Sequence, residues 1–365
     1  MLSLILPTYN RPGLLRRVLR YYEACQFPHR VLVADSSDAP AAEANRQIVE
    51  AVSRAMPVEY RRYDSALEVP MKLAEALEGI QSTYAVIGSD DDFFVPSALE
   101  RGVAFLESHP DYALAHGESA YFVLESDRIV SGRCVGVGRY LQRTIDHASG
   151  SERLAAHLAQ YTTTFYSVQR TEQLRRNWRR VAALPLDHLF DELLPSCLSL
   201  IEGKSQKLDE LYMVRQIHSA QTARTRGSRG LGWVMGQRWS EHYARFQDLL
   251  AEELVGQDRI TMEAAREVAK QAFRPYVARY VAKEVGKSRQ LHDSVAIRIG
   301  ARVRRVARGM PLLRWGWHLA RAIRPMSRTA ISLEALLRQT SRYHEGFMPI
   351  YRAVTAQNGH EVGAS

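Results

Sequence analysis

The chain has 365 residues, of which 46% are hydrophobic and 24% charged, and its formal net charge is +9. This composition is typical of a soluble globular protein with one large domain and a smaller one, and it excludes a membrane-spanning helix, because Arg, Gly or Pro interrupts every apolar run before the ~18 residues that a span needs. The three isolated cysteines argue against disulfides and a zinc site and favour a reducing cytoplasm.

The first ninety residues alternate between short apolar runs and amphipathic segments. Apolar runs at 3–6, 31–34, 58–63 and 84–87 predict strands, and the periodic segments that separate them predict helices. Pro12 suits the first position of the first helix, after a cap at Asn10 or Arg11. This alternation predicts an α/β fold with a mainly parallel sheet and helices on both faces.

Polar clusters follow three of these predicted strands, at Thr8–Arg11, Asp35–Asp38 and Asp90–Asp92. Ligands of such sheets bind outside the carboxyl ends of the strands, so the three clusters predict one shared ligand site. Neither a G-x-G-x-x-G nor a G-x-x-x-x-G-K-[ST] motif is present, and phosphate would therefore be held by metal and basic side chains.

The acidic loop Asp90–Asp92 is the most unusual of the clusters. Three consecutive carboxylates repel one another unless a cation lies among them. Hard oxygen ligands on a loop suit Mg²⁺ or Mn²⁺ that carries a phosphorylated ligand. The alternative is a solvated acidic turn or a helix N-terminus, where Asp is also favourable.

The order of these motifs resembles that of the family 2 glycosyltransferases of the GT-A fold. The resemblance rests on Pro7-Thr8-Tyr9-Asn10-Arg11-Pro12, on a strand that ends in Asp35, and on the acidic loop about 55 positions later. It covers about residues 1–225 and implies a GT-A, Rossmann-like catalytic domain.

Two later segments resemble further motifs of the family and follow in the same order along the chain. Phe190–Leu193, with Gly203 eleven residues after Glu192, is similar to the family's acidic helix and its closing glycine. Arg215–Ser219 is similar to the Arg-x-x-His segment that ends the catalytic domain.

The resemblance implies a nucleotide-sugar donor, with a UDP-sugar favoured. Asp35 would hydrogen-bond uracil or another base, although it could instead cap the following helix. Lys72 would contact the diphosphate, the alternative being a solvated helical lysine. The residues assigned to donor binding are Pro7, Thr8, Tyr9, Arg11, Asp35, Lys72 and Asp90.

The resemblance makes the acidic loop a D-x-D-type motif that binds Mg²⁺ or Mn²⁺ bridged to the diphosphate. Two registers stay open: either Asp91 is the metal ligand, with Ser89 in place of the usual first Asp, or Asp90 and Asp92 form the pair. His218 would complete the metal site or contact the diphosphate, and the alternative is a structural histidine.

Glu192 is implied to be the catalytic base, with Asp191 as the competing assignment. The spacing to Gly203 favours Glu192. A base on the face opposite the leaving group deprotonates the acceptor hydroxyl, and direct displacement then inverts the anomeric configuration. The alternative is a surface residue on an amphipathic helix.

The C-terminal part, residues 226–365, is predicted to be mainly helical, after a Gly- and Arg-rich linker. Nine arginines fall in Arg298–Arg328, a segment without acidic residues, and Trp315 and Trp317 are interleaved with them. This pattern suits an anionic membrane surface, and packing against the acids of the catalytic domain is the alternative. No recognition motif accompanies the charge, so nucleic acid is not expected.

We therefore expect a metal-dependent inverting glycosyltransferase that transfers a sugar to a saccharide or lipid-linked saccharide in surface polysaccharide or glycoconjugate assembly. Its expected location is cytoplasmic, with peripheral attachment to the inner face of the membrane as an option. The competing hypotheses are a nucleotidyltransferase that acts on sugar phosphates and a catalytically silent GT-A-like binding protein.

Overall fold

The structure is a computed structural model that describes residues 1–184, 188–220, 231–292 and 329–356. Within these residues a nine-stranded sheet is covered by helices on both faces. The strands are β1 Leu2–Thr8, β2 Arg30–Asp35, β3 Val58–Arg62, β4 Tyr84–Ile87, β5 Phe93–Phe94, β6 Tyr112–Leu124, β7 Cys134–Tyr140, β8 Val168–Arg170 and β9 Lys204–Gln216.

Helices follow or precede most strands. Those of the first 202 residues are α1 Pro12–Ala24, α2 Ala39–Val52, α3 Val69–Glu78, α4 Pro96–Ser108, α5 Gly150–Ala159, α6 Thr171–Ala182 and α7 His188–Glu202. The later ones are α8 Leu231–Val234, α9 Trp239–Asp258, α10 Met262–His292, α11 Leu333–Leu336 and α12 His344–Thr355.

The sheet has the order β3-β2-β1-β4-β8-β6-β9-β5, and β7 pairs with β6. The first four strands are parallel to one another, which confirms the predicted α/β fold. In the other half of the sheet, β6 and β9 are parallel. The antiparallel pairs are β8 with β4 and β6, β7 with β6, and β5 with β9. The predicted strand at 58–63 ends one residue earlier, at Arg62.

The first helix shows how local sequence sets an element. Leu15, Val18 and Leu19 are fully buried, as the helical spacing predicts. Arg11 is the N-cap residue and makes no side-chain cap hydrogen bond. Asn10, the other predicted cap, has φ 54° and pairs with Asp38 through its side-chain amide. Asn tolerates this left-handed conformation better than most residues.

Two apolar cores lie on opposite faces of the sheet. One packs α1, α2, α4 and α12 against the sheet and includes Leu15, Leu99 and Phe347. The other packs α3, α5, α6, α7, α9 and α10 and includes Phe190 and Phe246. The C-terminal helices therefore complete both cores instead of forming a separate one.

The described residues after 231 contain helices and no strands, as predicted for the C-terminal part. The proposed boundary near residue 225 lies outside the described residues, and so does the basic segment Arg298–Arg328. Among the helices that the structure describes, none is both long enough and apolar enough to span a bilayer.

Candidate active site

The three polar clusters meet at one edge of the sheet. Thr8 and Asp35 are register partners at the ends of β1 and β2, and Gly88, directly after β4, donates its backbone N–H to Ile5 of β1 at 2.7 Å. A cavity of about 250 Å³ opens at this edge. The predicted site residues that line it are Pro7, Thr8, Tyr9, Arg11, Lys72, Asp91, Asp191 and Glu192.

Asp91 is the member of the acidic loop that lines the cavity, together with Ser89. Its Oδ2 lies 3.0 Å from Nε2 of His218, and Ser89 donates to its Oδ1. Burial acts to raise the pKa of Asp91, but the contact with His218 and the charge of Arg11 outweigh it and hold that pKa well below its usual range. Asp91 is therefore a charged carboxylate.

Asp90 is fully buried beside the cavity. Thr8 Oγ1 donates to its Oδ2 at 2.7 Å, and Arg11 Nη2 lies 2.6 Å from its Oδ1. Burial raises the pKa of Asp90 to about 6, against the opposing charge of Arg11. This carboxylate ties the end of β1 to the acidic loop.

Asp92 is also fully buried and faces β9. Arg215 Nε donates to its Oδ2 at 2.9 Å, and the backbone N–H of Gln216 donates to its Oδ1 at 3.1 Å. Burial raises the pKa of Asp92 to about 6, although Arg215 opposes the change. Neither Asp90 nor Asp92 is among the residues that line the cavity.

His218 lies behind Asp91 and is 2% exposed. Its Nε2 contacts the Asp91 carboxylate, whereas its Nδ1 has no hydrogen-bond partner among the described residues. The histidine orients Asp91 and does not line the cavity.

Asp35 is fully buried, and its carboxylate is engaged within the protein. It accepts hydrogen bonds from the backbone N–H of Ser37 at 2.7 Å, from Tyr60 Oη at 2.8 Å and from Asn45 Nδ2 at 3.0 Å. Burial would raise the pKa of Asp35, but these hydrogen bonds lower it below its usual value. Asp35 is not among the cavity-lining residues, and its contact with a base stays a prediction.

Lys72 is 2% exposed, although it lines the cavity. Its Nζ donates to the backbone carbonyl of Thr8 at 3.1 Å and to Ser36 Oγ at 2.8 Å. The lysine thus connects α3 to the ends of β1 and β2 and adds positive charge to the cavity wall. It is not a solvated helical lysine.

The two acids of α7, Asp191 and Glu192, also line the cavity. Glu192 Oε1 accepts hydrogen bonds from Thr163 Oγ1 at 3.0 Å and from Tyr161 Oη at 3.2 Å. At the end of α7, a Cβ on Gly203 would lie 2.9 Å from the backbone nitrogen of Ala113. The glycine lets the helix end approach β6 closely.

Several cavity residues were not predicted as site residues. Arg215 entered the sequence analysis only as the first residue of the Arg-x-x-His segment. It donates from Nη1 to Tyr140 Oη at 3.0 Å, and its guanidinium lies over the ring of Tyr166, 4.8 Å from the centroid. Phe165 and Tyr166 belong to the loop that precedes β8. No sequence pattern indicated that Trp178 of α6 would line the site.

Within the described residues, no group of three or more His, Cys, Asp and Glu side chains is arranged to hold a metal ion. Asp91 and Ser89 nevertheless present oxygen atoms to the cavity, and their chemistry fits Mg²⁺ or Mn²⁺. Mg²⁺ is often bound by one or two carboxylates together with substrate phosphates. All three carboxylates have arginine partners: Arg11 contacts both Asp90 and Asp91, and Arg215 contacts Asp92.

No protein-family model matches the chain, and no curated protein matches it. Among solved structures, the chain is similar to S. aureus TarS 1–349 in complex with UDP-GlcNAc, with 15% identity over 76% of this chain and 72% of that chain and a TM-score of 0.49. It is also similar to the mannosyltransferase PcManGT from Pyrobaculum calidifontis in complex with GDP-Man and Mn²⁺, with 14% identity over 88% and 84% of the two chains and a TM-score of 0.38. Identities and scores this low do not establish a shared function.

Proposed function

We propose that the protein is a glycosyltransferase that transfers a sugar from a nucleoside-diphosphate donor, with a UDP-sugar favoured, to a saccharide or lipid-linked saccharide. The observation that carries the proposal is the composition of one cavity. It combines the Pro7–Arg11 segment after β1, Asp91 of the acidic loop, Lys72 and the two acids of α7. These elements come from distant parts of the chain, and the family motifs predicted them together.

The cavity suits the diphosphate of a donor because positive side chains line it. Arg11, Lys72 and Arg215 all line the wall near the acidic loop. Arg215 is held by Asp92 and by two tyrosines, so its guanidinium has a defined position before any ligand arrives. Guanidinium groups bind phosphate oxygens with well-defined geometry.

Asp91 and Ser89 are the residues that would hold Mg²⁺ or Mn²⁺, and His218 would orient the Asp91 carboxylate. This assignment prefers the register in which Asp91 is the metal ligand, since Asp91 lines the cavity and Asp90 and Asp92 do not. When bound, such an ion neutralises the charge that develops on the leaving diphosphate.

Glu192 is the proposed base, with Asp191 as the competing one. Among the described residues, Glu192 receives side-chain hydrogen bonds at Oε1 only. Oε2 is therefore available to take the proton of an acceptor hydroxyl as that oxygen attacks the anomeric carbon. Attack from the face opposite the diphosphate inverts the anomeric configuration.

The acceptor is proposed to be a sugar because aromatic side chains line the cavity next to the acids. Phe165, Tyr166 and Trp178 provide ring faces on which a sugar can pack. Attachment to an anionic membrane through Arg298–Arg328 belongs to the same proposal and lies outside the described residues.

Turnover of a panel of UDP- and GDP-sugars, with and without Mn²⁺, tests the proposal. We expect one donor to be hydrolysed slowly without an acceptor and faster with a suitable saccharide. Formation of a nucleotide sugar from a sugar phosphate and a nucleoside triphosphate would instead favour the nucleotidyltransferase. Absence of both turnover and nucleotide binding would reject the proposed function.

A further inference from the structure

A second cavity, separate from the candidate active site, is lined in part by α1. It has a volume of about 820 Å³, compared with about 250 Å³ for the first cavity, and the two have no lining residue in common. Its walls come from α1, α12, the start of α4 and the loop at Val130–Ser131. The volume is in the range of sites for small organic ligands.

The charge of this cavity is strongly positive. Arginines 16, 17, 20 and 352 line it, and Glu345 is the one acid among the described residues of its lining. Arg20 pairs with Glu23 at 2.7 Å. Within the described part of the chain, no carboxylate forms an ion pair with the exposed Arg16 or Arg352. Among the described residues, these two positive side chains at the rim therefore have no ion-pair partner.

The third positive group, Arg17, is 7% exposed. Its Nη1 donates to the backbone carbonyls of Ile129 and Val130 at 2.9 Å each, and its Nη2 donates to the carbonyl of Asp91 at 3.3 Å. Its direct partners are neutral carbonyls and its Nε has no partner among the described residues, but the nearby carboxylates of Asp90–Asp92 partly offset its charge. Burial lowers the pKa of Arg17 to about 10, so the side chain stays protonated at neutral pH.

The N-terminus of α4 adds positive potential to the same cavity. Val95, the N-cap residue, offers no side-chain hydrogen bond, and the first turn of this 13-residue helix contains no acid. Val95, Pro96 and Ser97 all line the cavity. Pro96 has no N–H, and the N–H groups of Ala98 and Leu99 donate to the carbonyl of Val95 at 3.1 and 3.2 Å. The N–H of Ser97 and the helix dipole are therefore what would attract an anion such as phosphate here.

The remaining lining is apolar. Tyr21, Val130, Pro349 and Ala353 present hydrocarbon surface next to the charged groups. An inorganic anion would leave this surface empty, whereas a neutral apolar ligand would leave the arginines without partners. We infer that the cavity binds a phosphate monoester that carries a hydrocarbon chain, with the phosphate held by Arg16, Arg352 and the start of α4. This inference does not depend on the proposed function.

Calorimetric titration of the full chain with octyl phosphate, below its micelle concentration, tests the assignment. Inorganic phosphate and octanol are the comparison probes for the two halves of the ligand. We expect octyl phosphate to bind and each half to bind at least roughly tenfold more weakly. Equal affinity for inorganic phosphate would contradict the lipid-like ligand, and absence of octyl phosphate binding would overturn the site.

A pair of arginine substitutions tests whether octyl phosphate binds in this cavity. Arg16→Ala with Arg352→Ala should weaken octyl phosphate binding by roughly tenfold or more. The matched control, Arg30→Ala with Arg54→Ala, removes two exposed arginines outside both cavities and should bind as the unmodified chain does.

A second variant removes space and keeps every charge. Ala353→Trp should abolish binding because the ring fills part of the cavity. Thermal unfolding verifies that this variant is folded. Unchanged binding by either the Arg16→Ala, Arg352→Ala chain or the Ala353→Trp chain would assign octyl phosphate to another part of the protein and refute the inference.

Discussion

At the residue scale, three identical side chains in a row have different environments. Asp90 is tied to Arg11 and Thr8, Asp92 to Arg215, and Asp91 lines the cavity. The partners come from the ends of β1 and β9, far from the loop in sequence. The two open registers of the acidic loop could therefore not be separated from the sequence, and the surroundings now favour Asp91.

This difference predicts different effects for two substitutions of equal size. Asp91→Asn should lower sugar transfer by roughly a hundredfold, because a carboxylate at the cavity is lost. It should also lower the free energy of unfolding, because the folded protein holds the pKa of Asp91 below its usual range and so favours the ionised group. Asp92→Asn should lower the free energy of unfolding by about 3 kcal/mol, since the Arg215 guanidinium loses its charged partner. Turnover and urea unfolding of both variants test this, and sugar transfer that survives Asp91→Asn would contradict the assignment.

Glu192→Gln keeps the shape of the side chain and removes the proton acceptor. Transfer should fall by roughly 10²–10⁴-fold while donor affinity, measured by calorimetry with the nucleotide, stays unchanged. Asp191→Asn is the matched control on the neighbouring acid. If transfer survives Glu192→Gln but not Asp191→Asn, the base is Asp191.

At the element scale, helix ends decide where site residues lie. β4 has the bounds of the predicted apolar run at 84–87, and α1 and α3 lie in the periodic segments that separate the predicted strands. The loop at Tyr161–Tyr166 holds Glu192 through hydrogen bonds from Tyr161 and Thr163. Its shape depends on hydrogen bonds to α7, which local sequence does not contain.

Two glycines in helical regions should respond oppositely to alanine. Gly203→Ala should lower the free energy of unfolding by about 1–3 kcal/mol, because its Cβ would lie 2.9 Å from the Ala113 backbone nitrogen. Gly256→Ala, inside α9 with nothing within 4 Å of its Cβ, should raise it by roughly 0.5–1 kcal/mol. Urea unfolding measures both, and a neutral Gly203→Ala would show that the end of α7 can shift.

At the scale of the whole molecule, the helices after residue 231 complete cores that the N-terminal part begins. Phe246 of α9 and Phe273 of α10 are 0% and 1% exposed, and both stack near Phe190 of α7. Phe347 and Ile350 of α12 close the opposite core. The sequence pattern indicated a helical extension, but it did not indicate that these helices pack into the two cores of the sheet.

Residues 1–225 should therefore not fold alone. Without α9, α10 and α12, large apolar surfaces on both faces of the sheet would be exposed to water. We expect the truncated chain to be aggregated or to lack a cooperative thermal transition, whereas the full chain has one. A soluble 1–225 fragment with cooperative unfolding would support the predicted catalytic domain as an independent unit.

The sequence by itself determined the α/β class, the alternating strands and helices at the start of the chain, and the polar clusters at the strand ends. These follow from local periodicity and from the geometry of parallel sheets. Only the tertiary structure decided which arginine contacts each carboxylate, that Lys72 is buried in the cavity wall, that Asp35 is engaged by Asn45 and Tyr60, and that a second basic cavity exists. Each depends on contacts between residues far apart in the chain, and no local pattern encodes such distances.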